Sequence, residues 1–313
     1  MKLLKFGGSS VGSPQKIMQV IDILNDYAAK KELIAVVFSA FQGVTDSLIS
    51  LGKKAIVGDL GYLADIENLL QRHITSVNEL VPKSKNKIIL QRVTDLFGDL
   101  KDYAQGVYLL KELTPKTMDN IVSFGERLSC IIITEAMKNK GIDCEFLDSR
   151  TIIKTDSSFS CARVDFNITN KRIKNYFKSH TKTQVVTGFI GSNSEGETTT
   201  LGRGGSDYTA SIIGAALKVK AIEIWTDVDG ILTADPNKVE NAYSINAVTY
   251  EEAMELSHFG AKVIYPPTMQ PALEKKIKII IKNTFNPSFK GTVILEKEPS
   301  VPFNIKGISS IDN

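Results

Sequence analysis

Cysteine is scarce in this sequence. Cys130, Cys144 and Cys161 are the only three in 313 residues, and none stands in a C-x-x-C pair. An odd, scattered set argues against a disulfide framework and fits a reducing compartment. Histidine is as sparse, and His73, His180 and His258 lie too far apart in sequence to suggest a His/Cys metal centre. No run of about 18 apolar residues occurs, which argues against a membrane-spanning helix. The opening MKLLKFGGSS has Lys5 and then glycines where a signal peptide would carry its apolar core. Excess charge of either sign is missing too. Lys+Arg 38 against Asp+Glu 35 gives +3, too balanced for a chain built to wrap nucleic acid. Its aromatic residues do not interleave with Arg and Lys as a single-strand-binding platform requires. The expectation is a soluble, cytoplasmic globular protein with neither a nucleic-acid nor a membrane partner.

What is present is ordinary in amount and ordered in pattern. Hydrophobic residues make up 42% and charged residues 23%, enough to build a core without disulfides or a structural metal. At roughly 150 residues per domain the chain holds one large domain or two modest ones. Lys2 to Phe6 reads as a strand that stops at a Gly pair. Ser13-Pro14 then opens a helix with Ile17, Val20, Ile21 and Leu24 on its buried stripe. The continuous apolar run Leu33 to Phe38 predicts a strand covered on both faces.

From Asp46 to Lys140 the pattern is mostly helical, broken near Val81-Pro82 and Thr114-Pro115. Strands are predicted at Asp143 to Leu147, Gln184 to Thr187, Ala221 to Thr226, Ile277 to Lys282 and Thr292 to Leu295. Helices are predicted at Lys171 to Lys178, Ser206 to Leu217, Tyr250 to Ser257 and Pro267 to Lys275. Alternating strands and helices predict an α/β fold with a largely parallel sheet. Lys297 to Pro302 reads as a linker, followed by a short strand-like piece, Asn304 to Ser309.

Three polar, Gly-rich clusters follow strand candidates, at the sheet edge where open α/β folds bind ligands. The first, KFGGSSVG (Lys5 to Gly12), can bring backbone N–H groups close to an anion, with Lys5 adding a full charge. It is neither a Walker A loop, since Gly12 is followed by Ser13-Pro14, nor a G-x-G-x-x-G fingerprint, which occurs nowhere in the chain. The second, Gly188 to Ala210, is a long polar loop feeding a helix of small residues. Arg203 there can hold a carboxylate bidentately, while Asp207 either serves chemistry or caps the helix. The third, Ile224 to Pro236, ends a strand in Thr226-Asp227 and turns at Asp229-Gly230. Its carboxylates suit a ribose or a metal-bound phosphate, or simply a tight turn. Glu126, in the helical GERLS, could receive an amino group or be an exposed helix charge. Ser39 and Thr45 offer hydroxyls after the second strand, or caps for the next helix.

Together these strings resemble the aspartokinases of the amino-acid kinase superfamily: KFGGSSV (Lys5 to Val11), SFGERLS (Ser123 to Ser129), GFIGSN with TTLGRGGSDYTA (Gly188 to Ala210), WTDVDGI with ADP (Trp225 to Pro236) and MELSHFGAKVIYP (Met254 to Pro266). The resemblance implies a three-layer α/β/α sandwich with a mainly parallel central sheet. It also implies transfer of the ATP γ-phosphoryl group, with Mg²⁺, to the side-chain carboxylate of L-aspartate, and assembly of the full-length enzyme as a homo-oligomer. It assigns Lys5 and Asp207 to catalysis. Lys5, Gly7, Gly8, Ser9, Thr226, Asp227, Leu232, Asn237, Lys262 and Val263 fall on the ATP side. Ser39, Thr45, Glu126, Phe189, Arg203, Gly204, Gly205 and Ser206 fall on the aspartate side, with Glu126 on the ammonium and Arg203 on a carboxylate. Metal is held with the ATP phosphates and by no directly assigned residue.

The same resemblance divides the chain into a catalytic domain, 1–297, and a tail. Within the domain, about 1–215 forms an aspartate-binding lobe and about 216–297 a nucleotide-binding lobe. The resemblance reads the tail, 298–313, as a linker and the expected first strand of an ACT regulatory domain, in either a cut piece of a longer enzyme or a naturally short form. Leu232 and Asn237 stand where relatives often have Tyr and Arg, so weaker or rearranged ATP contacts are expected. WTDVDGI and EAMELSHFGAKVI look nearest to the bifunctional aspartokinase–homoserine dehydrogenase type.

Overall fold

The computed structural model describes residues 1–235, 238–258, 265–297 and 306–308. The elements run β1 (Lys2–Phe6), α1 (Pro14–Ala29), β2 (Leu33–Phe38), α2 (Val44–Ile56), α3 (Gly61–Leu80), α4 (Lys83–Leu110), α5 (Pro115–Asn139), β3 (Cys144–Leu147), α6 (Phe166–Ser179), β4 (Thr183–Thr187), β5 (Ile190–Ser192), β6 (Thr198–Thr200), α7 (Gly205–Leu217), β7 (Ala221–Thr226), β8 (Ala247–Thr249), α8 (Tyr250–His258), α9 (Gln270–Glu274), β9 (Lys278–Asn283) and β10 (Thr292–Leu295). Eight strands form one sheet in the order β3-β4-β2-β1-β7-β9-β10-β8. The run from β3 to β9 is parallel throughout; β10 lies antiparallel to β9, and β8 pairs parallel with β10.

Strand alternation builds the layers. Leu4, Phe6, Val36 and Phe38 pack in a core with the buried faces of α1 to α5, whereas Leu3, Ala35, Val37, Ile222 and Ile224 pack with α7 on the opposite face. The sheet is therefore covered on both sides, as its continuous apolar strands require, and the fold is an α/β/α sandwich. Lys5 shares the face of Leu3, so the period-2 rule aims it toward α7. Phe6, Phe38 and Trp225 stack on the other face, with centroids 5.6 Å apart in each pair.

Local signals account for most boundaries. Ser13 caps α1 by accepting from the Lys16 amide, and Thr114 caps α5 by accepting from Thr117, each with Pro in the first turn. Asp165 caps α6, which starts well before the predicted Lys171. The predicted helix Pro267 to Lys275 is a 3₁₀ turn, Pro266–Met269, followed by the five-residue α9. The polar loop expected over Gly188 to Ala210 contains an antiparallel hairpin, β5–β6. Its strands are three residues each and rich in Ser and Thr, too short and polar for a period-2 hydrophobic signal. They are nonetheless buried. The edge strand β8, also three residues long, was likewise not expected.

Candidate functional site

The Gly pair at the end of β1 leads into a 3₁₀ turn, Gly8–Val11, before α1 begins. Gly8 is where the chain needs the smallest residue, because a Cβ there would lie 3.0 Å from the Ala40 carbonyl oxygen. The Gly7 amide donates to the Trp225 carbonyl at 3.2 Å, joining this turn to the end of β7. The turn also reaches the next strand, since the Ser10 and Thr284 hydroxyls are hydrogen-bonded at 2.7 Å.

Beside that turn, at the carboxyl ends of β1, β2 and β4, lies a cleft of about 540 Å³. Lys5, Gly8, Ser9, Ser39, Thr45, Glu126, Phe189 and Arg203 through Asp207 all line it. Strands β1, β2 and β4 deliver Lys5, Ser39 and Phe189; α5 delivers Glu126; and α7 presents its first turn. Ten of the residues assigned to catalysis or to aspartate thus share one cavity. Phe41, Gln42, Asp46 and Ser160 line it as well and were not anticipated. Phe41 and Gln42 lie between β2 and α2 and Asp46 in the first turn of α2, where the strand-end rule applied further along the chain would have found them. Ser160 comes from a loop with no local ligand signature.

Lys5 Nζ and Asp207 Oδ1 form an ion pair at 2.6 Å, with side chains 11% and 13% exposed. Asp207 is therefore not the helix cap. That position is held by Gly204, in the left-handed region at φ 70° and without a side-chain cap. A Cβ on Gly204 would also meet Thr268 and Tyr265 at 3.0 and 3.1 Å, so both space and backbone demand glycine. The α7 amino terminus directs its positive end and free N–H groups to the cleft. The Arg203 guanidinium lies 5.5 Å from the Tyr265 ring centroid, a cation–π arrangement that leaves its fork available. The Ser39 hydroxyl donates to the Ser206 hydroxyl at 3.0 Å, tying the β2 end to α7.

Glu126 is 3% exposed, which removes the reading of an exposed helix charge. Burial pushes its carboxyl up to about 8, while backbone amides and the nearby Lys5 charge pull the other way. Its Oε2 has no hydrogen-bond partner among the described residues. A buried acceptor left open beside a cavity suits a cationic donor from a ligand.

Lys5, Gly8 and Ser9, also assigned to ATP, line the cleft, whereas Thr226, Asp227 and Leu232 lie elsewhere on the same sheet edge. Thr226 ends β7, its hydroxyl donating to Asp227 at 3.1 Å, and its carbonyl accepts from the Thr284 amide at 2.8 Å. Leu232 bridges to Ser244. None of these three lines the cleft. The Asp229 carboxylate accepts from Asn283 and Asn286 at 2.9 and 3.2 Å, tying this turn to the end of β9 and the loop that follows it. Asn237, Lys262 and Val263 lie outside the described residues, as does the tail from 298 except 306–308.

The family described as the amino acid kinase family matches residues 1–283. The chain is 36% identical to aspartokinase 1, chloroplastic, of Arabidopsis thaliana, over 93% of this chain and 51% of that protein. It is 34% identical to the bifunctional aspartokinase/homoserine dehydrogenase 2, chloroplastic, of the same plant, over 99% of this chain and 34% of that protein. The structure of E. coli aspartokinase III in complex with aspartate and ADP superposes with a TM-score of 0.87 at 29% identity, covering 96% of this chain and 65% of that one. The chain therefore spans a third to a half of these curated relatives' length.

Proposed function

The chain belongs to the amino acid kinase family, and from that premise we propose that it transfers the γ-phosphoryl group of ATP to the side-chain carboxylate of L-aspartate, giving 4-phospho-L-aspartate. The observation that carries this reading is the meeting of Lys5, Glu126 and Arg203 in one cleft. That set offers an open buried carboxylate for an ammonium, a guanidinium fork for a carboxylate, and an ammonium for phosphoryl oxygens. The aspartate and ADP bound to E. coli aspartokinase III support the same substrate pair.

The chemistry asks for positioning and charge more than for a base. An aspartate side chain with an ordinary pKa of about 3.9 is ionised at neutral pH, so no general base need activate it. Glu126 and Arg203 hold the amino acid by its α-substituents, leaving the side-chain carboxylate free to attack the γ-phosphorus as the bond to the leaving ADP oxygen breaks. Lys5 offsets charge on the transferring group. Asp207 holds the Lys5 ammonium in place through their ion pair. The residues present fit a triphosphate: a glycine turn whose close approach excludes a Cβ, a lysine beside it, and a helix amino terminus. Mg²⁺ enters this reading with the nucleotide, on whose phosphates it would neutralise charge.

The nucleotide itself is assigned to the edge formed by Gly7, Thr226, Asp227 and Leu232. The division into an aspartate lobe, about 1–215, and a nucleotide lobe, about 216–297, belongs to the proposal. So does homo-oligomer assembly of the full-length enzyme. A reducing, cytoplasmic setting is proposed too. Its support is that Cys130 and Cys144 are buried free thiols, with burial pushing Cys144 up to about 12. The test is hydroxamate trapping of acyl phosphate with ATP, Mg²⁺ and aspartate, glutamate or N-acetylglutamate in turn. Product with aspartate alone is expected, and product with only another acid rejects the assignment.

A further inference from the structure

Building on the kinase reading, we propose that Asp119 is a positioning residue: it fixes the Arg203 arm relative to Glu126 and so governs how well the cleft holds a short dicarboxylic amino acid. Asp119 sits on α5 seven residues before Glu126. Two helical turns put both on one face of the same rod, about 10 Å apart along its axis. It is 1% exposed, and its carboxylate is occupied by donors from two other segments. The Thr200 amide donates to Oδ2 at 2.8 Å and the Thr200 hydroxyl to Oδ1 at 2.9 Å. The Ser160 amide donates to both oxygens, at 3.1 and 2.9 Å.

Both donor residues lie outside α5, in the loop before α6 and at the end of β6. Ser160 lines the cleft, and Thr200 ends β6 three residues before Arg203. The two segments are joined directly as well, the Ala162 amide donating to the Thr200 carbonyl at 2.9 Å. Ser160 is a non-glycine residue at φ 73°, a backbone state that persists only where surrounding contacts over-determine it. The Asp119 carboxylate supplies such a contact. An exposed pair on the same helix, Lys116 with Glu197, reaches the same hairpin, but solvent screening leaves it little hold. A buried carboxylate with three charge-assisted donors is the stronger clasp.

Three variants test this: Asp119→Asn, Asp119→Ala and Thr200→Val. In Asp119→Asn and Asp119→Ala the KM for the amino acid should rise on the order of tenfold while the KM for ATP stays within about twofold, because the clasp joins elements that carry the amino-acid side and touches no residue assigned to ATP. Thr200→Val, which keeps the amide and loses the hydroxyl, should shift the same constant in the same direction by less. Hydrogen exchange at the Ser160 and Thr200 amides should quicken in both Asp119 variants, a readout independent of which acid is phosphorylated. Should the wild type phosphorylate glutamate and not aspartate, the substrate assignment fails while exchange and the acid panel still judge Asp119. A folded Asp119→Asn with unchanged amino-acid KM and unchanged exchange overturns the proposal. An equal rise in both KM values overturns it too, since that marks general loss of structure. If Asp119→Ala does not fold, Asp119→Asn and Thr200→Val decide the matter alone.

Discussion

The two ends of the sheet's carboxyl edge are built differently. On the side of β1, β2 and β4, short polar segments from five elements close on one cleft, and their side chains already contact one another: Lys5 with Asp207, Ser39 with Ser206. On the side of β7, β9 and β10, the polar residues spend their hydrogen bonds on one another, Asp229 accepting from Asn283 and Asn286, and Thr226 donating to Asp227. The first region is pre-organised around charge. The second is a surface shelf. Under the proposed reading, a small amino acid with three charged groups needs fixed partners at fixed separations, whereas a nucleotide spreads its contacts over a larger area.

The sharpest way to break this contrast is Lys5→Ala. If charge in the cleft carries the reaction, turnover falls by about 3–4 kcal/mol of barrier. The fold should persist, since Lys5 packs in neither core, but calorimetry should show some loss of stability because the nearly buried Asp207 carboxylate loses its partner.

Next comes Glu126→Gln, expected to cost about 1.5–3 kcal/mol of amino-acid affinity by calorimetric titration. Its pH dependence sharpens the comparison. With its carboxyl pushed up to about 8, Glu126 is protonated in the free protein at neutral pH and must release that proton to meet an ammonium. Affinity should therefore strengthen as pH rises from 6 to 8, by up to about tenfold per unit, and level off above. The Gln variant should lose that slope. Stability runs the other way: the neutral buried form favours folding below the ordinary Glu range, and that contribution is lost as pH rises through about 8.

Gly204→Ala should be smaller, about 1–2 kcal/mol of stability for an alanine forced to φ 70°. A weakened KM for the amino acid, with that for ATP little changed, would go with it. Smallest is Leu232→Tyr on the shelf, expected to alter ATP affinity by less than about 1 kcal/mol. A larger effect would mean that the shelf is as tightly built as the cleft.

Much of the frame was legible because parallel strands covered on both faces write continuous apolar runs. Leu33 to Phe38 and Ala221 to Thr226 were readable at their ends as well as in kind. The β5–β6 hairpin was not. Thr198, Thr199 and Thr200 are buried by hydrogen bonding to groups such as Asp119 and Thr155, not by apolar packing, and hydropathy cannot see that. Within the site, the strand-end rule located Lys5, Ser39 and Arg203. It could not separate Asp207 as an ion-pair partner from Asp207 as a cap, because both lie in the first helical turn. Glu126 was ambiguous for a related reason: a helix that is buried almost all round carries no polar stripe to mark which charges face inward.

Trp225 is the only tryptophan in the chain. It lies against Phe6 with the Lys282 amine 4.5 Å from its ring centroid, and Thr226 follows it directly. Its indole N–H is sealed from solvent and has no acceptor among the described residues. The molecule therefore carries a single tryptophan, excitable apart from its nine tyrosines, at the border between cleft and shelf. Its emission reads the local field there without any label, and a bound polyphosphate that drew the Lys282 charge away would register as a change in wavelength.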